Sequence, residues 1–157
     1  MALIENAKSA GTGPQVSRVD ATAADSLSVT VSEEYQVAQA RQVCRTLALK
    51  LGFSRSDVCC IETSVSELAT NLLSHTRQGG ILFFREIKVP SPGIEITSFD
   101  EGPGIDDISL AMRDGYSTNG GLGCGLPGVK RLMDDFEIRS QKGTATVIVA
   151  VKRKRCR

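Results

Sequence analysis

"GGLGCGLPGVKR", residues 120–131, is the stretch on which the fold turns. Gly123, Gly125 and Gly128 spell G-x-G-x-x-G, the spacing of a dinucleotide-binding loop, and such a match is weak by itself. A Rossmann loop follows a strand directly, and an acid lies about 20 residues further on. Here the preceding segment, "RDGYSTNGG", is no strand, and the next strand-like run, "FEIRSQ", ends without an acid. No G-x-x-x-x-G-K-[ST] string is present, so the P-loop reading also fails. The eukaryotic kinase loop lies early in its domain, ahead of an H-R-D motif, whereas the sole histidine here is in "SHT". What survives is local physics. Closely spaced glycines let backbone N–H groups approach an anion. Pro127 suits a first helical turn, and a helix N-terminus presents free donors and a positive dipole end. A plain glycine-rich loop or helix cap fits the same residues.

Two upstream motifs change the weighting. In "SELATN" (66–71), Glu67 and Asn71 are four apart and share a helical face. They flank an apolar stripe of Ile61, Val65, Leu68 and Leu72. A carboxylate beside a carboxamide oxygen suits a hard cation that keeps its waters, such as Mg²⁺, and the carboxylate suits a hydroxyl proton. A solvated helix flank fits equally. In "FDEGPG" (99–104), Asp100 ends an apolar strand, and Gly102 and Gly104 permit a tight turn close to a flat ligand. An ordinary Asp-Glu-Gly-Pro-Gly turn also fits.

The remaining chain supplies the frame. Residues 1–25, rich in Ala, Ser, Gly and Thr, read as a flexible arm. "SLSVTV" (26–31) alternates as a strand does. Ser32 is the expected N-cap of a helix carrying Val37, Ala40, Val43 or Cys44, and Leu47, which stops at Gly52. Ser54 or Ser56 opens the second helix. "ILFFREIKV" (81–89) and "GIEITSF" (93–99) read as strands around a "PSP" turn, "DDISLAM" (106–112) as a short helix, and Leu126 to Met133 as another. "FEIRSQ" and "TATVIVAVK" close the chain as strands around Lys142-Gly143. This order predicts an α+β, two-layer α/β sandwich: a mixed, mostly antiparallel sheet with helices on one face. It divides into an arm, 1–25, and one domain, 26–157.

Composition is that of an ordinary globular domain, with 41% hydrophobic and 24% charged residues in 157. A net charge of +1 argues against a general nucleic-acid binder. No run approaches the roughly 18 apolar residues of a membrane span, and the N-terminus lacks the pattern of a secretory signal. Five cysteines without C-x-x-C, and one histidine, predict reduced cytoplasmic thiols rather than a zinc site.

Taken in order, E-x-x-x-N, D-x-G-x-G and G-x-G-x-G resemble the N box and the two glycine boxes of the Bergerat-fold (GHKL) ATPases, the superfamily of gyrase, histidine kinases and MutL. Gly143-Thr144 resembles that superfamily's late Gly-Thr pair. The likeness spans about residues 26 to 152. Within the superfamily, "GYSTNGGLGCGLPGVKRLMD" looks most like the RsbT-type serine/threonine kinases of the bacterial stressosome, with the anti-sigma-factor kinases as sister group.

The resemblance implies ATP as cofactor and Mg²⁺ held by Asn71. Asp100 would take the adenine amine, Gly102 and Gly104 would shape the base pocket, and Thr144 would support the adenine through water. Gly121, Gly123, Gly125 and Leu126 would wrap the phosphates, with Ser117 and Thr118 as lid contacts. Glu67 would be the general base. It further implies phosphorylation of STAS-domain antagonist or scaffold proteins and, on release, activation of a PP2C-type phosphatase. An anti-sigma-factor type of binding switch, controlled by nucleotide, is the alternative. Outside the match stand His75, which suits a helix-end surface position; Cys124, a small filler or an oxidisable thiol; and the "KRKRCR" tail, expected as the solvated end of an edge strand or a contact for an acidic partner.

Overall fold

The computed structural model describes residues 26–114 and 125–155. The expected arm, the lid residues Ser117 and Thr118, the loop residues Gly121 and Gly123, and Cys124 lie outside the described residues. The chain runs β1 (Ser26–Val31), α1 (Tyr35–Lys50), α2 (Arg55–His75), β2 (Gly80–Ile87), β3 (Gly93–Asp100), α3 (Ile108–Ala111), α4 (Gly125–Leu132), β4 (Asp135–Arg139) and β5 (Thr146–Arg153). The strands form one sheet in the order β1-β2-β3-β5-β4.

Every pairing between these strands is antiparallel. The expectation of a mixed sheet is corrected here: β5 enters between β3 and β4 and runs against both. The edge-strand part of the tail expectation is corrected by the same insertion, while Lys154 and Arg155 beyond it are solvated. The strand that leads into "KRKRCR" is internal, and Lys152 within it is 5% exposed. Its ammonium donates to the Leu132 carbonyl at 2.8 Å and lies 3.5 Å from Asp134 and 3.9 Å from Asp57. Burial is tolerable because the charge is paired and hydrogen-bonded.

Alternation sets the core face. Leu82 and Phe84 of β2, Ile94 and Ile96 of β3, and Ile148 and Ala150 of β5 are buried together with the helices. Phe84, Ile96 and Ala150 are direct cross-strand neighbours, a large side chain in line with a small one. On α2 the stripe Ile61, Val65, Leu68 and Leu72 is fully covered, each side chain contributing about 1.5–3 kcal/mol relative to exposure. On α1, Ala40, Cys44 and Ala48 are buried, with Val37, Val43 and Leu47 packed at the margin. The Cys44 thiol is pushed up to about 12, chiefly by burial and secondarily by the Glu62 carboxylate, so it is an inert filler.

The helix ends show what fixes them. Ser54 is the N-cap of α2, accepting from Asp57 N at 3.1 Å, and Gly52 after α1 has φ +74°, the left-handed stop that glycine adopts freely. Ser32 is not the cap of α1. Helical geometry begins at Glu34, which has no side-chain cap. Gln36 instead reaches back, its Oε1 accepting from Ser32 N at 2.7 Å and Glu33 N at 2.8 Å. The carboxamide thus serves the two N–H groups that lead into the helix, not the first-turn donors that an N-cap hydroxyl accepts from.

Candidate active site

Glu67 and Asn71 lie on α2 beside Leu68 and Leu72, whose burial presses the helix onto the sheet. Both polar side chains are half-buried. Neither makes a side-chain hydrogen bond or ion pair among the described residues. Asn71 precedes Thr76, the C-cap of α2, by about 7.5 Å of helical rise, and Glu67 stands about 6 Å further up. Thr76 Oγ1 meets the Leu72 carbonyl at 2.6 Å and the Gly79 carbonyl at 2.8 Å, closing the helix end into the turn before β2.

Asp100 is the last residue of β3. Its Oδ1 accepts from Gly102 N at 2.9 Å, an Asx-type closure of the turn. A Cβ on Gly102 would stand 2.8 Å from that oxygen and 3.0 Å from Thr76 Cγ2. The missing side chain is therefore what lets the Asp100 turn and the end of α2 meet. Gly104 has φ +71°, and a Cβ there would lie 2.0 Å from the Gln141 carbonyl oxygen. Gly143 N donates to the Pro103 carbonyl at 2.6 Å, so the "GPG" turn is seated on the β4–β5 turn. A cleft of about 830 Å³ opens here, with His75, Thr76, Gly80, Phe99, Asp100 and Gly102 in its wall.

Burial raises the Asp100 carboxyl above the ordinary aspartate value, and the Gly102 N–H and the His75 charge oppose that rise. His75 itself is exposed at the end of α2. Thr144 does not join Asp100. It is exposed, and its hydroxyl donates to the Gln141 carbonyl at 2.6 Å, closing the turn. The residue paired with Asp100 across β3 and β5 is Thr146. Thr146 is 6% exposed and shares a 2.8 Å hydrogen bond with Ser140, whose Oγ accepts from Ile105 N at 2.9 Å. Thr146 and Ser140 were missed by sequence reading. The alternation of "TATV" places Thr144 and Thr146 in phase, and only strand register separates them.

Gly125 opens α4 with φ +57°. Leu126 is 8% exposed and belongs to the hydrophobic core, which seats the first turn of α4 against the rest of the domain. Arg131 of α4 pairs with Asp114, joining the two chain segments that border residues 115–124. Among the described residues no group of three or more His, Cys, Asp or Glu could hold a metal ion. The unpartnered oxygens of Asn71 and Glu67 fit a cation that takes most of its ligands from phosphates and water.

The described helices include none long and apolar enough to cross a membrane. The histidine kinase-like ATPase domain family matches residues 18–152. The chain is 44% identical over 128 residues to the serine/threonine-protein kinase RsbT of Bacillus subtilis, covering 82% of this chain and 96% of that protein. It is 30% identical over 129 residues to the anti-sigma F factor of Clostridium beijerinckii, covering 78% of this chain and 90% of that one. Among solved structures, the RsbU and RsbW domains of a Mycobacterium tuberculosis protein superpose with a TM-score of 0.60 at 16% identity, over 82% of this chain and 32% of that chain. That last likeness is one of fold.

Proposed function

The chain belongs to the histidine kinase-like ATPase family and, within it, to the RsbT-type serine/threonine-protein kinases, and on that premise we propose a partner-switching kinase whose ATP site lies between α2 and the Asp100 turn. The observation that carries the reading is the contact of that turn with the end of α2, one helical turn beyond Asn71. Residues 26–157 act as one kinase domain. In the proposed site the Asp100 carboxylate accepts from the adenine amine, with Thr146, rather than Thr144, beside it in the sheet. Gly102 and Gly104 hold the base turn. The loop from Gly121 through Gly125, with the Leu126 N–H, wraps the phosphates, and Ser117 and Thr118 contact them from the lid. Asn71 would hold Mg²⁺, which supplies charge neutralisation on the phosphates when bound.

Glu67 takes the proton from a serine or threonine hydroxyl as its oxygen attacks the γ-phosphorus. The new O–P bond forms, the bond to the β-phosphate oxygen breaks, and ADP leaves. The substrate is a STAS-domain protein of a cytoplasmic stress-signalling complex, and the released kinase activates a PP2C-type phosphatase. The similarity to anti-sigma F factors supports a second use of the same site, in which nucleotide controls how tightly a partner is sequestered.

Calorimetric titration with ATP tests the site. Affinity is expected to fall when Mg²⁺ is chelated, and Asn71→Ala is expected to lose about 10- to 100-fold in Mg-ATP affinity, the equivalent of one hydrogen-bond or ligand contact to a charged centre. The variant should show no further loss on chelation. Equal affinity of the wild type with and without the metal, or a chelation loss in Asn71→Ala as large as in the wild type, would remove Asn71 from this role.

The raised Asp100 carboxyl gives a pH dependence with a definite sign. Ionisation costs more in the folded protein, so this group's contribution to stability is present below the ordinary aspartate pKa and is lost as pH rises through the raised one. Adenine needs the ionised form. ATP affinity is therefore expected to weaken on acidification from a pH above the usual carboxylate range, and Asp100→Asn should flatten that part of the profile. A profile identical in the variant would assign the titration to another group.

A further inference from the structure

At the opposite end of β3 a second cleft, of about 980 Å³, opens between the α1–α2 turn and the β2–β3 turn. Gly93 begins β3 and Asp100 ends it, so the two clefts are about 24 Å apart along the strand. The floor is Phe53, 7% exposed, and Gly93. Lys154 crosses the cleft, its N–H donating to the Pro92 carbonyl at 2.8 Å. Its ammonium is held beside Gly52, where an added Cβ would stand 3.1 Å away. That is the C-terminal end of α1, whose carbonyl dipoles favour a cation.

Charge is distributed unevenly. Elsewhere, most described cations are engaged: Arg45 with Glu62, Arg85 with Glu95, Arg131 with Asp114, Arg139 with Glu137, and Lys142 with Asp106. Around this cleft Lys152 faces Asp57 and Arg153 holds Asp135 and the Ser91 carbonyl, and five further cations are not engaged. Lys154 and Arg155 stand in its wall. Lys50 and Arg55 flank the turn between the helices, and Lys88 opens the turn between the strands. All are exposed, and none makes a side-chain hydrogen bond or ion pair among the described residues. Of the acids in the wall, Asp57 already faces Ser54 at 2.7 Å and the Lys152 ammonium, which leaves Glu86. The whole chain carries only +1, so the excess is local. Val89, 83% exposed, stands in the same strand turn.

Crowded like charges repel unless a partner brings the opposite sign. We infer that this cleft docks an acidic segment of a partner protein, with an apolar side chain of that segment set against Val89 and the Phe53 floor. A single-stranded nucleic acid would need a stacking surface, and the aromatic residue of this cleft, Phe53, is buried; a duplex binder would carry a larger basic surplus than the chain's +1. An anionic membrane would need more inserted apolar area than Val89 offers. The cleft lies away from Asp100, so the docked segment leaves the nucleotide site open.

The probe is a fluorescein-labelled Glu-Glu-Leu-Glu-Glu-Leu-Glu-Glu peptide, titrated with the full chain by anisotropy. The double variant Lys154→Glu with Arg155→Glu is expected to weaken binding about tenfold or more, and Lys88→Glu severalfold. Lys142→Glu, on the far turn, should stay within about twofold. Raising salt from about 50 to about 300 mM should weaken the wild type and leave the double variant little changed. Thermal melts check that each variant folds, and unchanged ATP affinity in the double variant separates this surface from the nucleotide site. Absence of peptide binding at millimolar concentration, equal affinity in wild type and double variant, or equal binding of a Lys-for-Glu peptide would overturn the inference. So would tighter binding of duplex DNA or phosphatidylserine vesicles that the same variant abolishes.

Discussion

Glu67→Gln is expected to slow phosphoryl transfer about 10³-fold, within the 10²–10⁴ range that a positioned general base supplies, while ATP affinity stays within about twofold. Glu67 sits on the exposed flank of α2, next to the buried Leu68, half-buried and without a protein partner among the described residues. The amide keeps the shape and loses the capacity to take a proton. Nothing that holds α2 in place is removed, so the melting temperature should move little. Single-turnover transfer from labelled ATP measures the step, and nucleotide titration measures binding. Undiminished transfer in the variant would remove Glu67 from the base role. A parallel loss of ATP affinity would make it a binding residue.

Asp100→Asn is expected to weaken ATP binding about 10- to 100-fold, the range of 1.5–3 kcal/mol for a hydrogen bond to a charged group at tenfold per 1.4 kcal/mol. The variant keeps an oxygen for Gly102 N, so the turn that meets Thr76 survives. It also gains an N–H donor where adenine presents an amine, which should narrow the preference for ATP over GTP. Stability should move the other way. The wild-type carboxylate is held in surroundings that disfavour its charge, so the neutral amide should melt slightly higher at neutral pH. Competition against a fluorescent ATP analogue reads the affinity. Unchanged ATP binding in a folded Asp100→Asn protein would move the adenine elsewhere.

Much of the architecture was legible because it rests on local rules. The stripe of Ile61, Val65, Leu68 and Leu72 is a helical period, and the structure buries all four. Gly52 stopped α1 as a left-handed glycine does. What could not be read rests on partners distant in sequence. The insertion of β5 between β3 and β4 made the sheet wholly antiparallel and turned the basic tail's first lysine inward. Thr144 and Thr146 share a phase, and only the pairing of Asp100 with Thr146 distinguishes them. Ser140 joins them through a hydrogen bond to Thr146 that no motif announces. At α1 the Ser32 hydroxyl donates to the Gln36 carboxamide in place of capping the helix, and the same oxygen accepts from Ser32 N and Glu33 N. The site motifs were visible as spacing. The approach of the Asp100 turn to the end of α2 depends on Gly102 having no side chain against Thr76.

The most direct test of the central claim is transfer of label from γ-labelled ATP, with Mg²⁺, to a purified STAS-domain protein, followed by phosphoamino-acid analysis. Acid-stable phosphoserine or phosphothreonine is expected on the STAS protein, lost with Glu67→Gln and reduced with Asp100→Asn. Label confined to inorganic phosphate, or appearing as an acid-labile phosphohistidine, would contradict it.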